Sequence, residues 1–253
     1  MALILFTGKQ GAGKTMLAVV GARKAAVRRR AFLISNIQIA RPDGIDGIQL
    51  AKGRDGFDAD QLDACVTWCR DRSKAVVIVL DELGMLMPAR KWQNFPLRLQ
   101  EDITQSRKMH VDMFTTSQYE NLVDVNFRLN AHKAYRVSCV PGPSLESYER
   151  GRRPWFFRLV EYQPGHVGEK SHRMGSELIR YRREWEGFYD TEERVGIPER
   201  LRDKDEERSH QWLAWAEEVM PGLVHDEAMV AARIVGARTL ADAHPTGAEG
   251  EWS

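Results

Sequence analysis

Short apolar runs alternate with longer amphipathic stretches through the first half of the chain. The apolar runs have the length of buried strands, and they are Ala2–Thr7, Ala31–Ile37, Ala75–Leu80, Val111–Thr116 and Ala134–Val140. The stretches between them that are compatible with helices are Met16–Arg30, Asp58–Arg72 and Pro96–Lys108. Strands that alternate with helices are typical of a parallel sheet with crossover helices. The pattern therefore predicts an α/β fold in which a mainly parallel sheet is flanked by helices.

The pattern changes after residue 142. Further predicted elements are an aromatic-rich strand at Trp155–Tyr162 and helices at Pro198–Met220 and Asp226–Ala243. Within the first part, the glycine-rich segment Arg41–Gly56 predicts a loop or an irregular insertion. We therefore expect three regions, namely an α/β core (1–142), a small basic aromatic β-extension (143–192) and an acidic tail of C-terminal helices (193–253).

The first predicted strand continues directly into a glycine-rich motif. Gly8–Thr15 fits the phosphate-loop pattern G-x-x-x-x-G-K-[ST] without a mismatch, and a predicted helix follows it. A strand that ends in such a turn and opens a helix aims backbone N–H groups and the helix dipole at a polyphosphate. We expect Lys14 to reach the β/γ-phosphates of ATP and Thr15 to hold Mg²⁺. The residues expected around the nucleotide are Gly8, Lys9, Gln10, Gly11, Ala12, Gly13, Lys14, Thr15 and Met16.

Two carboxylates follow the third predicted strand. Asp81 and Glu82 come directly after the apolar run Ala75–Leu80, which is the position of a Walker B element. A Mg²⁺ site in a phosphoryl-transfer enzyme is built from one or two carboxylates, water and the substrate phosphates. We therefore expect Asp81 to complete the metal site and Glu82 to polarise the attacking water, with ATP and Mg²⁺ as cofactors.

The fourth predicted strand ends in the polar cluster Thr115–Gln118. A parallel sheet brings the carboxyl ends of its strands together, so Gln118 is expected to touch the γ-phosphate or to orient the water; a surface polar turn is the alternative. One further strand, Ala31–Ile37, lies between the two motifs in the sequence. If another strand separates the Walker A and Walker B strands in the sheet, the order resembles that of the motor-type phosphate-loop ATPases, as does the adjacency of Asp81 and Glu82.

Charge is distributed unevenly along the chain. Residues 184–253 contain 17 acidic and 7 basic residues, which is a net charge of −10. Because the whole chain has a net charge of +1, residues 1–183 have a net charge of +11. A basic body suits a nucleic-acid partner through phosphate neutralisation, although solvated surface is the alternative.

Neither a membrane span nor a cysteine site is expected. The strongest apolar run, Ala75–Leu80, has six residues, whereas a membrane helix needs about 20. Cys65 and Cys69 lie four positions apart in a predicted helix without further ligands at metal-binding spacing, which favours small core residues in a reducing cytosol. We therefore expect a cytoplasmic protein with no transmembrane segment in this chain.

Together these residues resemble the N-terminal ATPase domain of the zonula occludens toxin (Zot) family, which includes the filamentous phage assembly ATPases and belongs to the FtsK/HerA group of DNA-pumping motors. The resemblance covers about residues 1–192. Its matching segments are Gly8–Thr15, Ser35–Ile37, Asp81–Glu82, Met87–Arg90, Gln105–Arg107, Thr115–Gln118 and Glu186–Thr191.

The resemblance implies a P-loop NTPase fold, ATP hydrolysis and a homo-oligomeric ring, expected to be a hexamer. It makes Arg128 and Arg107 the candidates for an arginine finger that acts on the nucleotide of a neighbouring subunit; an ordinary surface ion pair is the alternative for each. Filamentous phage members continue into a membrane-spanning segment, and this chain departs from them there. It is closer to a soluble motor, such as the packaging ATPase of an icosahedral DNA virus with an internal membrane, or to a truncated prophage protein.

Basic residues are interleaved with aromatic residues in the predicted extension. The basic set is Arg150, Arg152, Arg153, Arg158, Lys170, Arg173, Arg180, Arg182 and Arg183, and the aromatic set is Trp155, Phe156, Phe157, Tyr181 and Trp185. Such a mixture is able to pair phosphates and stack bases, whereas packing of the aromatic rings on the core is the alternative. We expect Arg180, Arg182 and Arg183 to contact DNA.

The function that these features predict is an ATP-hydrolysing motor that translocates or packages viral or mobile-element DNA in the host cytoplasm, or in association with the virion. One alternative is an extrusion ATPase that acts on a coat protein at the inner membrane. Another is a nucleotide-gated assembly scaffold without a motor role. Candidate partners besides DNA are a capsid, portal or membrane assembly protein, to which the acidic tail could dock.

Overall fold

One sheet of eight strands organises the part of the chain that the computed structural model describes, which comprises residues 2–50, 59–86, 111–142 and 153–189. Its strands are β1 (Leu3–Thr7), β2 (Phe32–Ser35), β3 (Gly47–Gln49), β4 (Val76–Leu80), β5 (Val111–Ser117), β6 (Lys133–Val140), β7 (Phe156–Tyr162) and β8 (Arg173–Arg180). The α-helices are α1 (Lys14–Arg29), α2 (Ala59–Asp71), α3 (Leu83–Leu86) and α4 (Val125–Asn130). Short 3₁₀ turns occupy Glu120–Leu122, Lys170–His172 and Arg183–Phe188.

The strands pair in the order β3-β2-β4-β5-β1-β6-β7-β8. The pairs from β3 through β6 are parallel, and the pairs β6–β7 and β7–β8 are antiparallel. The predicted α/β fold with a mainly parallel sheet is therefore confirmed. Strand β5 lies between β1 and β4, so another strand does separate the Walker A strand from the Walker B strand.

The central strands are buried along their whole length. Every residue of β2, β4 and β5 is buried, including the polar side chains of Thr115 and Thr116. Parallel strands that are covered on both faces are apolar without alternation, which is why these strands can be recognised as apolar runs in the sequence. Three buried hydroxyls at the carboxyl end of β5, those of Thr115, Thr116 and Ser117, depart from that rule, and the site is built at this edge of the sheet.

Helix α1 crosses close to the sheet because its buried face is made of small residues. Ala18, Ala22 and Ala26 are fully buried there, and a Cβ atom on Gly21 would lie 2.8 Å from the ring of Phe114. The helix begins at Lys14, two residues before the predicted start, because the last residues of the phosphate-loop motif already form its first turn.

On α2, Cys65 and Cys69 are completely buried, as expected for small core residues. Burial raises the pKa of the Cys69 thiol to about 12, so this side chain stays protonated near neutral pH.

Among the helices of the described residues, none has both the length and the apolar character that a membrane crossing requires.

The predicted extension continues the sheet. Strand β7 alternates, with Phe157 and Leu159 buried and Arg158 exposed. After β8 the chain returns to the core, where the buried ring of Trp185 stacks on Phe157 at 6.4 Å and the Phe188 carbonyl accepts a hydrogen bond from the Ala40 N–H. The interior rings of the extension therefore pack on the core, which was the alternative to base stacking for Phe157 and Trp185.

Two strands differ from the sequence prediction. Strand β3 lies within the segment Arg41–Gly56, where we expected irregular structure, because pairing with β2 organises three of its residues. Strand β8 begins at Arg173, where the polar sequence does not predict a strand, because β7 provides its hydrogen-bonding partners. The expected helices at Pro96–Lys108 and in the acidic tail lie outside the described residues, and the division at 142 and 192 stays a prediction.

Candidate nucleotide-binding site

The phosphate loop connects β1 to α1 and uses glycine where the backbone demands it. Gly11 and Gly13 have φ angles of 73° and 92°, and Gly13 is the N-cap residue of α1. Residues that carry a side chain rarely adopt such φ angles, whereas glycine does so without steric cost. The N–H groups of the first helical turn are left without intrahelical acceptors and face the loop, which makes this end of α1 suited to bind a polyphosphate.

Strands β6 and β7 form a wall behind the loop. A Cβ atom on Gly8 would lie 2.5 Å from the carbonyl oxygen of Val137, and one on Gly13 would lie 2.2 Å from the ring of Phe157. The Cys139 thiol lies 3.7 Å from the Gly11 carbonyl oxygen. Strand β7 of the predicted extension therefore contacts the loop directly through the Phe157 ring. The sequence alone gave no sign of this contact.

We expect Gly13→Ala to destabilise the protein by about 1–3 kcal/mol more than Gly44→Ala, because only the first change forces a methyl group into a packed ring. Gly44 is the matched control, since its φ is also positive (71°) and nothing lies within 4 Å of an added Cβ atom. The free energies of unfolding are measured by urea denaturation. Equal losses for the two variants would show that backbone conformation, and not contact with Phe157, governs Gly13.

Lys14, the first residue of α1, is nearly buried. Its side chain is only 5% exposed, and its Nζ atom lies 3.4 Å from the Lys9 carbonyl oxygen and 3.9 Å from the Glu82 carboxylate. The neighbouring residues differ in their exposure to solvent. Gly8 is buried against β6, Lys9, Gln10 and Gly11 are exposed, Ala12 is buried, and Thr15 and Met16 are half-buried. The Lys14 ammonium group is therefore buried, whereas the middle of the loop, at Lys9–Gly11, is accessible to solvent.

Asp81, directly after β4, is held by hydrogen bonds from α1, from β5 and from the residue that follows β2. The hydroxyls of Thr15 and Thr116 both donate to its Oδ1 atom at 2.7 Å. Asn36, after β2, fixes the backbone, because the Asp81 N–H donates to Asn36 Oδ1 at 2.8 Å and Asn36 Nδ2 donates to the Asp81 carbonyl at 3.1 Å. A carboxylate beside a threonine hydroxyl is the oxygen donor set that Mg²⁺ prefers, so these residues fit the expected metal.

Glu82 adopts an uncommon backbone conformation beside Asp81. Its φ is 52°, in the left-handed region, and its N–H donates to the Thr116 hydroxyl at 2.9 Å. Such a conformation in a residue other than glycine costs about 1–3 kcal/mol and persists where the surroundings enforce it. The carboxylate is 22% exposed and points toward Lys14. Burial raises the pKa of Glu82, the Lys14 charge opposes that shift and the Asp81 charge adds to it.

The raised pKa of Glu82 predicts the pH dependence of hydrolysis. A carboxylate that polarises water works in its ionised form, so we expect kcat/KM to fall on acidification, with a midpoint above the usual range of glutamate. The measurement is a pH profile of ATP hydrolysis by the wild-type protein. An acidic limb at the ordinary glutamate value would show that Glu82 is not the titrating base.

Thr116 is a site residue that the sequence reasoning did not single out. Its hydroxyl donates to Asp81 and accepts from the Glu82 N–H, so one buried group positions both carboxylates. The sequence signal was the polar pair inside an apolar strand, but only the pairing of β5 with β4 shows which threonine meets the site.

Thr116→Val should lower kcat by about 10-fold to 100-fold with little change in KM, because it leaves the Glu82 N–H unpaired and frees the carboxylate to move. Thr115→Val is the matched control, since that hydroxyl is equally buried but donates to the Ile4 carbonyl. Steady-state kinetics of both variants and of Thr116→Ser provide the measurement. Failure of the serine variant to restore kcat would argue against a role for the hydroxyl.

The remaining predicted site residues lie at different distances from this network. Gln118 is exposed at the end of β5, and its carbonyl oxygen accepts a hydrogen bond from the Gly8 N–H at 3.3 Å. Arg128 lies on α4, with a buried Nε atom that has no hydrogen-bond partner among the described residues. Arg180, Arg182 and Arg183 are exposed at and after the end of β8, and Arg182 lies 3.6 Å from Glu184. Arg107 is outside the described residues.

Comparison with known proteins identifies the family to which this chain belongs. The model of the family described as Zonular occludens toxin (Zot) matches residues 2–140. Among curated protein sequences, none is significantly similar to this chain. A solved structure of similar fold is the N-terminal domain of zonular occludens toxin from Neisseria meningitidis, which is 19% identical, covers 75% of this chain and 100% of its own, and has a TM-score of 0.50.

Two other solved structures have lower TM-scores. The genome packaging NTPase B204 from Sulfolobus turreted icosahedral virus 2, in complex with AMPPCP, is 9% identical over 71% of this chain and 97% of its own, with a TM-score of 0.49. A DnaB-like replicative helicase is 12% identical over 73% of this chain and 56% of its own, with a TM-score of 0.46.

Proposed function

Because the chain belongs to the zonular occludens toxin family and has the fold of a P-loop NTPase, we propose that it is an ATPase that uses Mg²⁺ and drives the movement of DNA. The observation that carries the ATPase proposal is the hydrogen-bonded network of Thr15, Asp81, Thr116 and Glu82 beside Lys14. These groups come from β4, β5 and α1, and they are the parts that phosphoryl transfer to water requires.

Each residue has a role that follows from its placement. The backbone N–H groups of the phosphate loop bind the β- and γ-phosphates, and Lys14 neutralises their charge. Thr15 and Asp81 would hold Mg²⁺, which supplies positive charge to the phosphate oxygens when bound. Glu82, with its raised pKa, accepts a hydrogen bond from the attacking water and withdraws its proton. Gln118, whose carbonyl bonds to Gly8 at the rim of the loop, would contact the γ-phosphate.

DNA as the substrate is supported by a surface that we call the arginine face, formed by Arg136, Arg158 and Arg180. These exposed residues lie on β6, β7 and β8, and the strand register puts them on one side of the sheet. Phe156, opposite Arg180, is 39% exposed on the same side. Guanidinium groups with an exposed ring suit a phosphate backbone with unstacked or flanking bases.

A ring is the assembly that fits a motor of this kind. Arg128 lies on α4 at the end of the segment between β5 and β6, and its guanidinium is not fully paired within the described part of this chain. In a ring it would act on the nucleotide of the next subunit, neutralising charge in the transition state. Arg107 is the second candidate for that role.

The first experiment measures ATP hydrolysis with and without double-stranded DNA, at low and at moderate salt. Wild-type protein should be stimulated by DNA more strongly at low salt, since phosphate contacts release counterions and each contact adds about 0.9 to the salt slope. Glu82→Gln is the blank. Arg158→Glu with Arg180→Glu should remove the stimulation, and Arg28→Glu, an exposed arginine on α1, is the matched control.

The outcomes separate the candidate functions. Hydrolysis that is indifferent to DNA at both salt concentrations would contradict the DNA motor and favour an ATPase that works on a coat protein at a membrane. Stimulation that Arg28→Glu abolishes as completely as the double variant would show that general charge, and not the arginine face, attracts DNA. An inactive wild-type protein would overturn the ATPase proposal itself.

A further inference from the structure

The loop between β7 and β8 brings two histidines and a glutamate together away from the nucleotide site. His166, Glu169 and His172 each offer one ligand atom, and the three atoms lie within 4.8 Å of one another. Nδ1 of His166 lies 3.3 Å from the Glu169 Oε2 atom, and Nδ1 of His172 lies 2.9 Å from the same atom. Nothing in the ATPase chemistry uses these side chains.

The backbone of the loop explains why the three side chains converge. Successive three-residue turns link Gln163 to His166, His166 to Glu169 and Glu169 to His172 through N–H···O=C hydrogen bonds of 3.0–3.2 Å. These consecutive turns bring the three residues back to the same side of the loop, where their ligand atoms converge. Gly165 and Gly168, with φ angles of 88° and 98°, precede the first two of them and permit the turns.

The loop is held in this shape by a residue from another element. Both carboxylate oxygens of Glu120, in the 3₁₀ turn after β5, accept backbone N–H groups of the loop, from Gly165 at 2.9 Å and from Val167 at 2.6 Å. A loop tied at two amides has lost part of its conformational freedom before any ligand binds. Preorganisation of this kind lowers the cost of binding.

We propose that His166, Glu169 and His172 form a binding site for a divalent transition metal, with Zn²⁺ as the ion that fits best. Two imidazole nitrogens and one carboxylate are ligands that Zn²⁺ commonly takes from proteins, and a water completes its tetrahedron in three-ligand sites. Bonds of about 2.0–2.2 Å place tetrahedral ligands about 3.3–3.6 Å apart. The Glu169 Oε2 atom is 3.3 Å from His166 Nδ1 and 2.9 Å from His172 Nδ1, so small side-chain adjustments bring the ligand atoms to that spacing. Mg²⁺ prefers oxygen donors and does not fit this set.

The site is also connected to the rim of the phosphate loop. Glu120, which anchors the loop, is two residues beyond Gln118, and the Gln118 carbonyl bonds to Gly8. Metal binding would fix the loop on Glu120 and so stiffen the segment that follows β5. Through this connection the bound ion would have a structural role without a part in the chemistry.

The test is a calorimetric titration of the untagged, chelator-treated full chain with Zn²⁺ alone, in a buffer containing millimolar Mg²⁺ to occupy the oxygen-donor site. The wild-type protein should bind one equivalent that His166→Ala and His172→Ala lose, or bind at least about 10-fold more weakly. Glu177→Gln, an exposed carboxylate on β8, is the matched control and should bind as the wild type does. Co²⁺ in place of Zn²⁺ should report the same site by its visible absorption.

A second measurement separates a folding defect from loss of a ligand. Hydrogen exchange of the amides of Gly165 and Val167 should slow on addition of Zn²⁺ to the wild-type protein. In Glu169→Gln, which retains the side-chain shape, exchange without metal should match the wild type and should not respond to Zn²⁺. Equal Zn²⁺ stoichiometry and affinity in the wild type and the histidine variants would overturn the proposal, as would the absence of tight binding in the wild type.

Discussion

Glu82→Gln should bind ATP with nearly wild-type affinity and hydrolyse it about 10²-fold to 10⁴-fold more slowly, the usual contribution of a general base. The side chain keeps its shape, and the Glu82 N–H can still donate to the Thr116 hydroxyl at 2.9 Å. What it loses is the charge and the proton-accepting oxygen that face Lys14. Nucleotide binding is measured by fluorescence titration with a labelled ATP analogue, and hydrolysis by phosphate release.

The acidic limb of the pH profile provides the internal control for this variant. If Glu82 is the base, the residual hydrolysis of Glu82→Gln should no longer follow the raised pKa that burial produces in the wild type. A variant that hydrolyses ATP within a few-fold of the wild type would move the role of base to another residue. The variant also tests the assembly scaffold, because a scaffold that needs only bound nucleotide would function with glutamine at this position.

Lys14→Ala should lose both nucleotide affinity and hydrolysis, with kcat/KM lower by about 10²-fold to 10³-fold, the usual cost of removing one preorganised stabilising group. The ammonium group is nearly buried and lies between the Lys9 carbonyl and the Glu82 carboxylate, so water replaces it poorly. Because the Lys14 charge lowers the pKa of Glu82, its removal should shift the acidic limb of the residual activity to higher pH.

Lys24→Ala is the matched control, since Lys24 is an exposed lysine on the same helix. Steady-state kinetics and the binding titration are carried out on both variants at the same ionic strength. If Lys14→Ala retained wild-type affinity for ATP, the phosphate loop would not bind phosphate as we infer. A motor requires that both Lys14→Ala and Glu82→Gln fail, whereas a scaffold requires only that Lys14→Ala fails.

The sequence was sufficient wherever the signal is contiguous. The phosphate loop occupies Gly8–Thr15, and the carboxylates follow an apolar strand, so both motifs are contained within short segments that can be recognised alone. Buried parallel strands are largely apolar runs, which is why β1, β2, β4 and β5 can be recognised; the apolar and aromatic residues of β6 and β7 bring the number of predicted strands to six of the eight. The residues named from these signals, Lys14, Thr15, Asp81 and Glu82, are the ones that the structure brings together.

The sequence was insufficient where a residue acts through a partner far along the chain. Thr115 and Thr116 are neighbours of the same type, and their different roles depend on the alternation of side chains along β5 and on its register with β4. Phe156 and Phe157 present the same difficulty, because one-residue alternation puts the first on the exposed side and the second against Gly13. Strand β8 has no regular alternation of apolar and polar residues, and it exists because β7 pairs with it.

The sequence by itself determined the fold class, the nucleotide motif and the identity of the two carboxylates, since local propensity and short-range spacing encode them. The tertiary structure alone decided the sheet order, the bridging role of Thr116, the wall that Phe157 builds behind the phosphate loop and the convergence of His166, Glu169 and His172 on a loop anchored by Glu120. These features depend on strand register and on contacts between distant segments, and packing of the whole sheet is what selects them.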